Sequence, residues 1–496
     1  MRFRTKIISL STGDTLIAIL NIKDSIEFFL HIGDRIKISN SDKSAVAVVD
    51  ITNSDLLVAR GEIGLTDEVV GLLGGVEKIV DVFSEKKPKS IDLIKKKLRG
   101  KQLSYNEFEE ILSDIKDNRI TSVETAYFVS ATYVHPLTVS ETVAFTKAMV
   151  NTGSILKFDS NIIADKHCIG GVPGNRTTMI IVPIIASAGL VIPKSSSRSI
   201  TSPAGTADTV EVLCDVTFCL ERIMEIVKET NACLIWGGSL NLAPADNKII
   251  RVEKPMVLDV PAQLLASIMA KKKSVSANHL IIDIPYGKGA KIEKLDKAQH
   301  LKKMFDMLGK KLGMKIKVIL TDGCQPIGNG IGPALEARDV LYVLRDDLKA
   351  PLDLENKSLM MAGDLLELCG KAKKGKGREL AEEILYSGKA YNKFVEILKA
   401  QNGKIFCPED VPIGKYSFDV FSDKKGKVKE INNKIIAKIA MLAGAPLDKG
   451  AGLYLYRHKG DNAKKGDLLY RVYSGCSPKL DCTKEFVNQN NGYLIK

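Results

Sequence analysis

Residues 165–178 read Asp165-Lys166-His167-Cys168-Ile169-Gly170-Gly171-Val172-Pro173-Gly174-Asn175-Arg176-Thr177-Thr178, which sets an anion-binding loop beside side chains suited to proton and charge work. Its three glycines let the backbone take conformations closed to bulkier residues and let a ligand approach main-chain N–H groups. An apolar run at 179–189 follows and reads as a buried helix. The loop therefore delivers its guest to a helix N-terminus, where unpaired N–H groups and the dipole favour negative charge. Phosphate suits such a seat. Lys166, His167 and Arg176 add fixed or switchable positive charge in the same segment. The competing reading is a glycine-rich connection with solvated charges.

A second segment has the same character. Residues 195–206 set seven hydroxyls around Arg198, after a short predicted strand at 191–193, and lead into an apolar helical pattern at 207–213. Hydroxyls and a guanidinium are the groups that bind phosphate oxygens and sugar hydroxyls. Alone, a Ser/Thr-rich loop is more often just solvated. Two such loops, separated by one buried helix and a short strand, argue for a ligand.

The remaining sequence supplies the elements that hold these loops. Over 1–85, short apolar runs (6–10, 15–21, 26–30, 35–38, 46–51) alternate with turns, which predicts a small β-barrel-like N-terminal domain. Lys86 to Ser90 is a linker, and the helical subdomain assigned to 86–158 has apolar residues at helical spacing. Its helices start at Ser104, Thr121 and Thr138, each followed three residues later by a glutamate (Glu107, Glu124, Glu141), the capping-box pattern. Residues 159–402 alternate strand-like runs (281–284, 315–320) with helices (294–312, 333–344), an α/β domain that carries both loops. From 403 to 496 short strands and Gly-containing turns return, giving a β-rich C-terminal domain. The fold class is thus α/β with a helical subdomain, flanked by β-rich ends.

Composition agrees. With 45% hydrophobic and 26% charged residues among 496, the chain has the make-up of an ordinary globular protein of several domains. It has no apolar run of 18 residues, and its start lacks the apolar core of a signal peptide, so a cytoplasmic location without membrane contact is expected. Nine irregularly spaced cysteines, with no Cys-x-x-Cys pair, argue for reduced thiols and against structural zinc. The histidines have no metal-like spacing, and Trp236, Cys214, Cys219 and Cys233 sit in apolar context as core residues. Net charge is +13, but the basic clusters (95–97, 271–273, 371–378) carry no nucleic-acid module and read as solvated faces.

Asp165-Lys166-His167 with Gly170-Gly171, then residues 196–208 ending Gly205-Thr206-Ala207-Asp208, resemble the phosphate-binding signature of the thymidine and pyrimidine nucleoside phosphorylases. The resemblance runs from about residue 88 to the C-terminus. Several departures resemble the archaeal AMP phosphorylases instead. These are Cys168 in place of serine, Pro173-Gly174-Asn175-Arg176, Ser197-Arg198-Ser199-Ile200-Thr201-Ser202, Leu258-Asp259-Val260-Pro261-Ala262-Gln263, and an extra N-terminal domain of about 85 residues.

That resemblance implies phosphorolysis of AMP, and of CMP and UMP, to free base and ribose 1,5-bisphosphate. Inorganic phosphate is then a substrate held on one face of the sugar while the base is protonated on the other. No cofactor, metal or covalent nucleophile is implied. Lys166, Cys168 through its main chain, Thr177 and Ser196 are implied to hold phosphate, with Thr206 beside them. Gly171, Ser197, Arg198, Ser199, Ile200, Thr201, Ser202, Thr206, Ser267 and Lys291 are implied to contact AMP. Asp259 is the implied proton donor and His167 lies near sugar and base.

On the residues alone, Asp259 before Val260-Pro261 reads first as a helix cap, and Arg198 has the alternative of a structural partner of Asp208. Ser267 and Lys271 share a helix face, and Lys271 also reads as part of a solvated lysine run. A homodimer or larger homo-oligomer is implied, with no nucleic-acid partner. The alternatives are a thymidine or pyrimidine nucleoside phosphorylase, an anthranilate-type phosphoribosyltransferase using metal-bound pyrophosphate, and a basic nucleic-acid-binding protein.

Overall fold

Alternating apolar residues over the first 85 positions build a closed barrel in the computed structural model, which describes every residue except 14, 76, 200–201, 241 and 257–259, and the side chains of 239, 254 and 256. Strands β1 (Arg2–Ile7), β2 (Ile17–Asn21), β3 (Arg35–Ser39), β4 (Ser44–Thr52), β5 (Glu62–Leu65) and β6 (Ile79–Ser84) close in the order β1-β5-β2-β4-β3-β6. Ala18, Leu20, Ile36, Ile38 and Val49 point inward and are fully buried. The predicted strand at 26–30 is a correction: it falls in helix α1 (Ile22–Phe28) and the turn after it. The Asn21 side chain accepts the Lys23 N–H at 3.0 Å and starts that helix, and Phe29, in the left-handed region at φ 53°, stops it. Helix α2 (Asp67–Leu73) precedes β6.

The helical segment is α3 (Ser90–Leu98), α4 (Tyr105–Lys116), α5 (Ser122–Val134) and α6 (Val139–Asn151). All three capping boxes form. The carboxylates of Glu107, Glu124 and Glu141 accept the N–H of Ser104, Thr121 and Thr138 at 2.8, 2.8 and 2.9 Å. Glu141 also takes the buried ammonium of Lys97 at 2.7 Å, so the 95–97 cluster is not wholly a solvated face.

The α/β segment runs β7 (Ala164–Cys168), α7 (Thr177–Ser187), β8 (Ile192–Ser196), α8 (Thr206–Val210), α9 (Leu220–Thr230), β9 (Ala232–Trp236), α10 (Pro244–Met256), α11 (Pro261–Ser274), β10 (His279–Tyr286), α12 (Leu295–Lys311), β11 (Lys315–Asp322), β12 (Gly330–Ile331), α13 (Pro333–Leu344), α14 (Leu352–Leu368), α15 (Gly377–Tyr386) and α16 (Lys389–Ala400). Strands β11-β10-β7 form a parallel sheet, β8-β9 a parallel pair, and an Ile163–Val191 bridge joins the two. Helix α7 is buried from Thr177 to Ala186, as its unbroken apolar sequence requires, and packs against α14 and α16.

Two units result: residues 1–153 with 243–267, and residues 154–242 with 268–496. Helix α10, inside the span assigned from sequence to the α/β domain, packs on α4 and α5, and Lys248 donates to the carbonyls of Ile115 and Lys116 at 3.0 and 2.7 Å. In the second unit the C-terminal part adds β13 (Tyr416–Phe421), β14 (Gly426–Ile431), α17 (Asn433–Ala443), β15 (Gly452–Leu455), β16 (Asn462–Ala463), β17 (Leu468–Ser474), α18 (Ser477–Gln489) and β18 (Tyr493–Ile495). Its antiparallel sheet β12-β15-β17-β13 borrows β12 from the α/β segment. Among the described residues no helix is long and apolar enough to cross a membrane.

Candidate active site

Strand β7 ends at Cys168 and α7 begins at Thr177, so the glycine loop links the end of a parallel strand to a helix N-terminus, the usual ligand position in such sheets. Gly171 has φ +93°, and a Cβ there would lie 2.5 Å from the Lys291 main-chain nitrogen. Gly174 has φ +74°, and its Cβ would lie 2.0 Å from the Ile327 carbonyl oxygen. The loop is thus pressed against Lys291 and the 327–330 turn, and only glycine fits at either contact. Lys166 is buried, and its ammonium donates to the Thr177 hydroxyl at 2.8 Å. Two of the residues assigned to phosphate are therefore in contact. The Cys168 Sγ accepts weakly from the Gly170 N–H and the Asn175 amide at 3.4 and 3.3 Å, while burial, then Asp283, pushes its thiol up to about 11. A neutral thiol turned back on its own loop leaves the main chain as the part of Cys168 suited to an anion.

Arg176 fastens this loop to the second one. Its guanidinium pairs with buried Glu336 and donates to the Ala204 carbonyl and, at 3.1 Å, to the Thr209 hydroxyl. Within the second loop, Asp208 at the start of α8 accepts the N–H groups of Ser199 and Gly205 at 2.7 and 2.9 Å. Ser199 and Ser202 bond to each other, so part of the hydroxyl supply is used internally. Ser196 differs: its Oγ is buried and without a hydrogen-bond partner among the described residues. Thr206 opens α8, whose second residue, Ala207, gives its N–H to the Ser197 carbonyl at 3.3 Å. Ser197 is exposed, while Ile200 and Thr201 lie outside the described residues.

Arg198 is engaged. Its two terminal nitrogens meet the Glu211 carboxylate at 2.8 and 2.5 Å, with Asp208 farther at 4.0 Å, and the guanidinium lies 4.7 Å from the Trp236 ring centroid. Lys449 also reaches Glu211, at 2.8 Å. The fork assigned from sequence to a phosphate is thus filled by Glu211, and the expected partner Asp208 is only its outer neighbour.

Beneath β7 lies charge that the sequence analysis missed. Asp165, fully buried, takes Lys194 at 3.2 Å and Lys272 at 2.7 Å. Burial alone would raise its carboxyl, and the two ammonium groups outweigh that and hold it below the ordinary range. Lys272 therefore corrects the solvated reading of 271–273: it is buried, and burial and Lys194 lower it to about 7. Asp283 on β10 is likewise buried; it is ion-paired with Lys357 at 3.0 Å and accepts from the Thr321 hydroxyl at 2.7 Å and the Asn175 amide at 3.2 Å. Burial chiefly lowers Lys166, and Asp283 opposes that. His167 is held neutral, its imidazole driven well below the usual value by burial and by Lys272, Lys194 and Lys166. A lysine or aspartate inside the apolar runs of β8 and β10 was the available signal for Lys194 and Asp283.

These groups make the fold acid-labile. Asp165 adds stability that is complete above its unfolded value of 3.8 and is lost as pH falls through the lower folded value. Below about 6.5 an unfolded His167 takes up a proton that the folded one refuses, so stability falls from there on acidification. The melting temperature is expected to decline from pH 7 to pH 5, and His167→Asn to flatten that decline. An equal slope in the variant would assign the effect to other groups.

Ser267 belongs to the first unit, where its hydroxyl donates to buried Asp246 at 2.8 Å. The assigned proton donor, Asp259, lies outside the described residues, just ahead of α11. Cys214 and Cys233 are buried as expected, but Cys219 is exposed, ahead of the first turn of α9. Among the described residues no group of three His, Cys, Asp or Glu side chains could hold a metal ion.

Three family models match the chain in order. Residues 91–153 match the helical bundle domain of a glycosyl transferase family, 160–391 its a/b domain, and 427–493 the pyrimidine nucleoside phosphorylase C-terminal domain. With a glycine loop between the end of a parallel strand and a helix N-terminus, these define the class: a glycosyltransferase that moves a pentosyl group. The anthranilate phosphoribosyltransferase of Thermus thermophilus shares the fold, with a TM-score of 0.54 at 18% identity over 63% of this chain and all of that one. AMP phosphorylase 1 of Archaeoglobus fulgidus is 45% identical over 96% of this chain and 94% of its own length. A Legionella pneumophila (strain Corby) protein provisionally named thymidine phosphorylase is 41% identical over 93% of this chain and 88% of its own. The chain belongs to the AMP phosphorylase family.

Proposed function

We propose that this chain cleaves AMP, and also CMP and UMP, with inorganic phosphate, giving the free base and ribose 1,5-bisphosphate. The observation that carries the reading is the buried Lys166 ammonium bonded to Thr177 at the mouth of a helix N-terminus, a seat for one phosphate. The A. fulgidus relative supports AMP as the other substrate. Phosphate held by Lys166, Thr177, Ser196, Thr206 and the Cys168 main chain attacks C1′ of the ribose. The C1′–N bond breaks, its electron pair leaves with the base, and Asp259 supplies the proton. Neutral His167 can donate one N–H and accept at its other nitrogen, which suits a sugar hydroxyl and leaves the positive charge to Lys166. The nucleophile is phosphate itself, so the reaction as proposed uses no metal or cofactor. Nine free thiols support a reducing cytosolic setting, and a homodimer or larger assembly is part of the reading.

Arg198 takes the 5′-phosphate by exchange: Glu211 yields the fork and stays paired with Lys449. A charge-assisted hydrogen bond is worth roughly 1.5 to 3 kcal/mol, about 10- to 150-fold in specificity. Arg198→Ala should cut kcat/KM on AMP by about that factor and leave the weak activity on adenosine nearly unchanged. Parallel losses on both, with a lower melting temperature, would make Arg198 a brace for the loop.

A second reading, a pyrimidine nucleoside phosphorylase, is favoured by the C-terminal domain match and the Legionella relative. Base release from a panel of nucleosides and their 5′-monophosphates separates the two: faster turnover of nucleosides would select the second.

A further inference from the structure

In the first unit a cavity of about 60 Å³ is lined by the polar residues Asp246, Glu253, Gln263 and Ser267 and by apolar residues including Phe145 and Met149. Its hydrogen-bond polarity is fixed from behind. Ser267 has one proton and gives it to the Asp246 Oδ2 at 2.8 Å, so toward anything else its Oγ is an acceptor. Gln263, one turn earlier on α11, donates its amide to the Thr132 Oγ1 at 2.7 Å. Thr132 gives its own proton to the Val129 carbonyl at 2.9 Å, so it must accept from Gln263, and the amide orientation is determined. That leaves the Gln263 Oε1 buried and without a partner among the described residues.

We propose that this cavity reads the exocyclic amino group of the base, and that Asp246 is a positioning residue that sets the choice by holding the Ser267 proton. The proposal rests on the reading of Ser267 as a base contact and adds what that contact selects. An amine brings N–H donors to the Ser267 Oγ and the Gln263 Oε1. An oxo group brings an acceptor to acceptors, and the side chains of Asp246 and Glu253 lining the same cavity add further acceptor oxygens. Adenine should therefore be preferred to hypoxanthine, and cytosine to uracil. The cavity admits the edge of a ring and not a whole base, consistent with reading a substituent.

The test is calorimetric binding of the four free bases to the full chain, which requires no turnover. The wild type should bind adenine at least about 10-fold tighter than hypoxanthine, the scale of one buried unpaired polar group, and cytosine tighter than uracil. In Asp246→Asn the side-chain amide can donate to Ser267 and release the serine proton, so the preference should shrink to about 3-fold or less as hypoxanthine binding improves. Equal affinities in the wild type, or an unchanged ratio in an Asp246→Asn protein that melts normally, would overturn the proposal. If that variant does not fold, Ser267→Ala serves, with the same loss of preference expected. An amino preference in a chain that fails to release base from AMP would uphold this pocket and sink the phosphorolysis reading alone.

Discussion

Asp259→Asn is expected to lower kcat on AMP by about 100-fold or more while leaving the fold and nucleotide binding intact, the common consequence of losing a general acid. The carboxyl stands at the position where the family resemblance puts the proton donor, immediately ahead of α11, whose first residue is Pro261. Negative charge grows on the departing base as the glycosidic bond opens, and an amide cannot deliver the proton that neutralises it. The competing role is a helix cap. Asparagine caps about as well as aspartate, so a cap would survive the substitution. Steady-state kinetics with a thermal melt decides: near-normal kcat would return Asp259 to capping.

Lys166→Ala should raise the KM for phosphate by about 10- to 150-fold, the range for one charge-assisted hydrogen bond, and the KM for AMP much less. Lys166 is buried against Thr177, and burial lowers its hold on the proton; an arriving dianion restores it, so the two stabilise each other. Thr206→Val should act in the same direction but by less than about 10-fold, since a neutral donor contributes about half as much. Equal rises in both constants would mean that one shared anion site serves both substrates.

The parts legible in the sequence are those encoded locally. Capping boxes at Ser104, Thr121 and Thr138 form because a Glu three residues on reaches back within one turn. The helix expected at 333–344 is found as Pro333–Leu344, since a proline starts it and its apolar residues keep helical spacing. Residues 26–30 misled because so short an apolar run has no period to arbitrate between strand and helix, and the Asn21 cap decided it.

In the site, the glycine loop and Lys166–Thr177 were legible because they lie within one segment. Asp165 with Lys194 and Lys272, and Asp283 with Lys357, were not, because each pair forms only when distant segments pack. A run such as Lys271-Lys272-Lys273 looks solvated in sequence, yet the middle residue turns inward to a buried carboxylate. Arg198 shows the converse. Its residue type suggests an anion, and the structure supplies one from within, Glu211.

The measurement that tests the central claim most directly is adenine release from AMP as a function of inorganic phosphate, with the sugar product quantified, in the presence of a metal chelator. The account predicts no release without phosphate, saturable release with it, one ribose 1,5-bisphosphate per adenine, and no effect of the chelator. Release that persists without phosphate and yields ribose 5-phosphate would show a hydrolase and contradict the account.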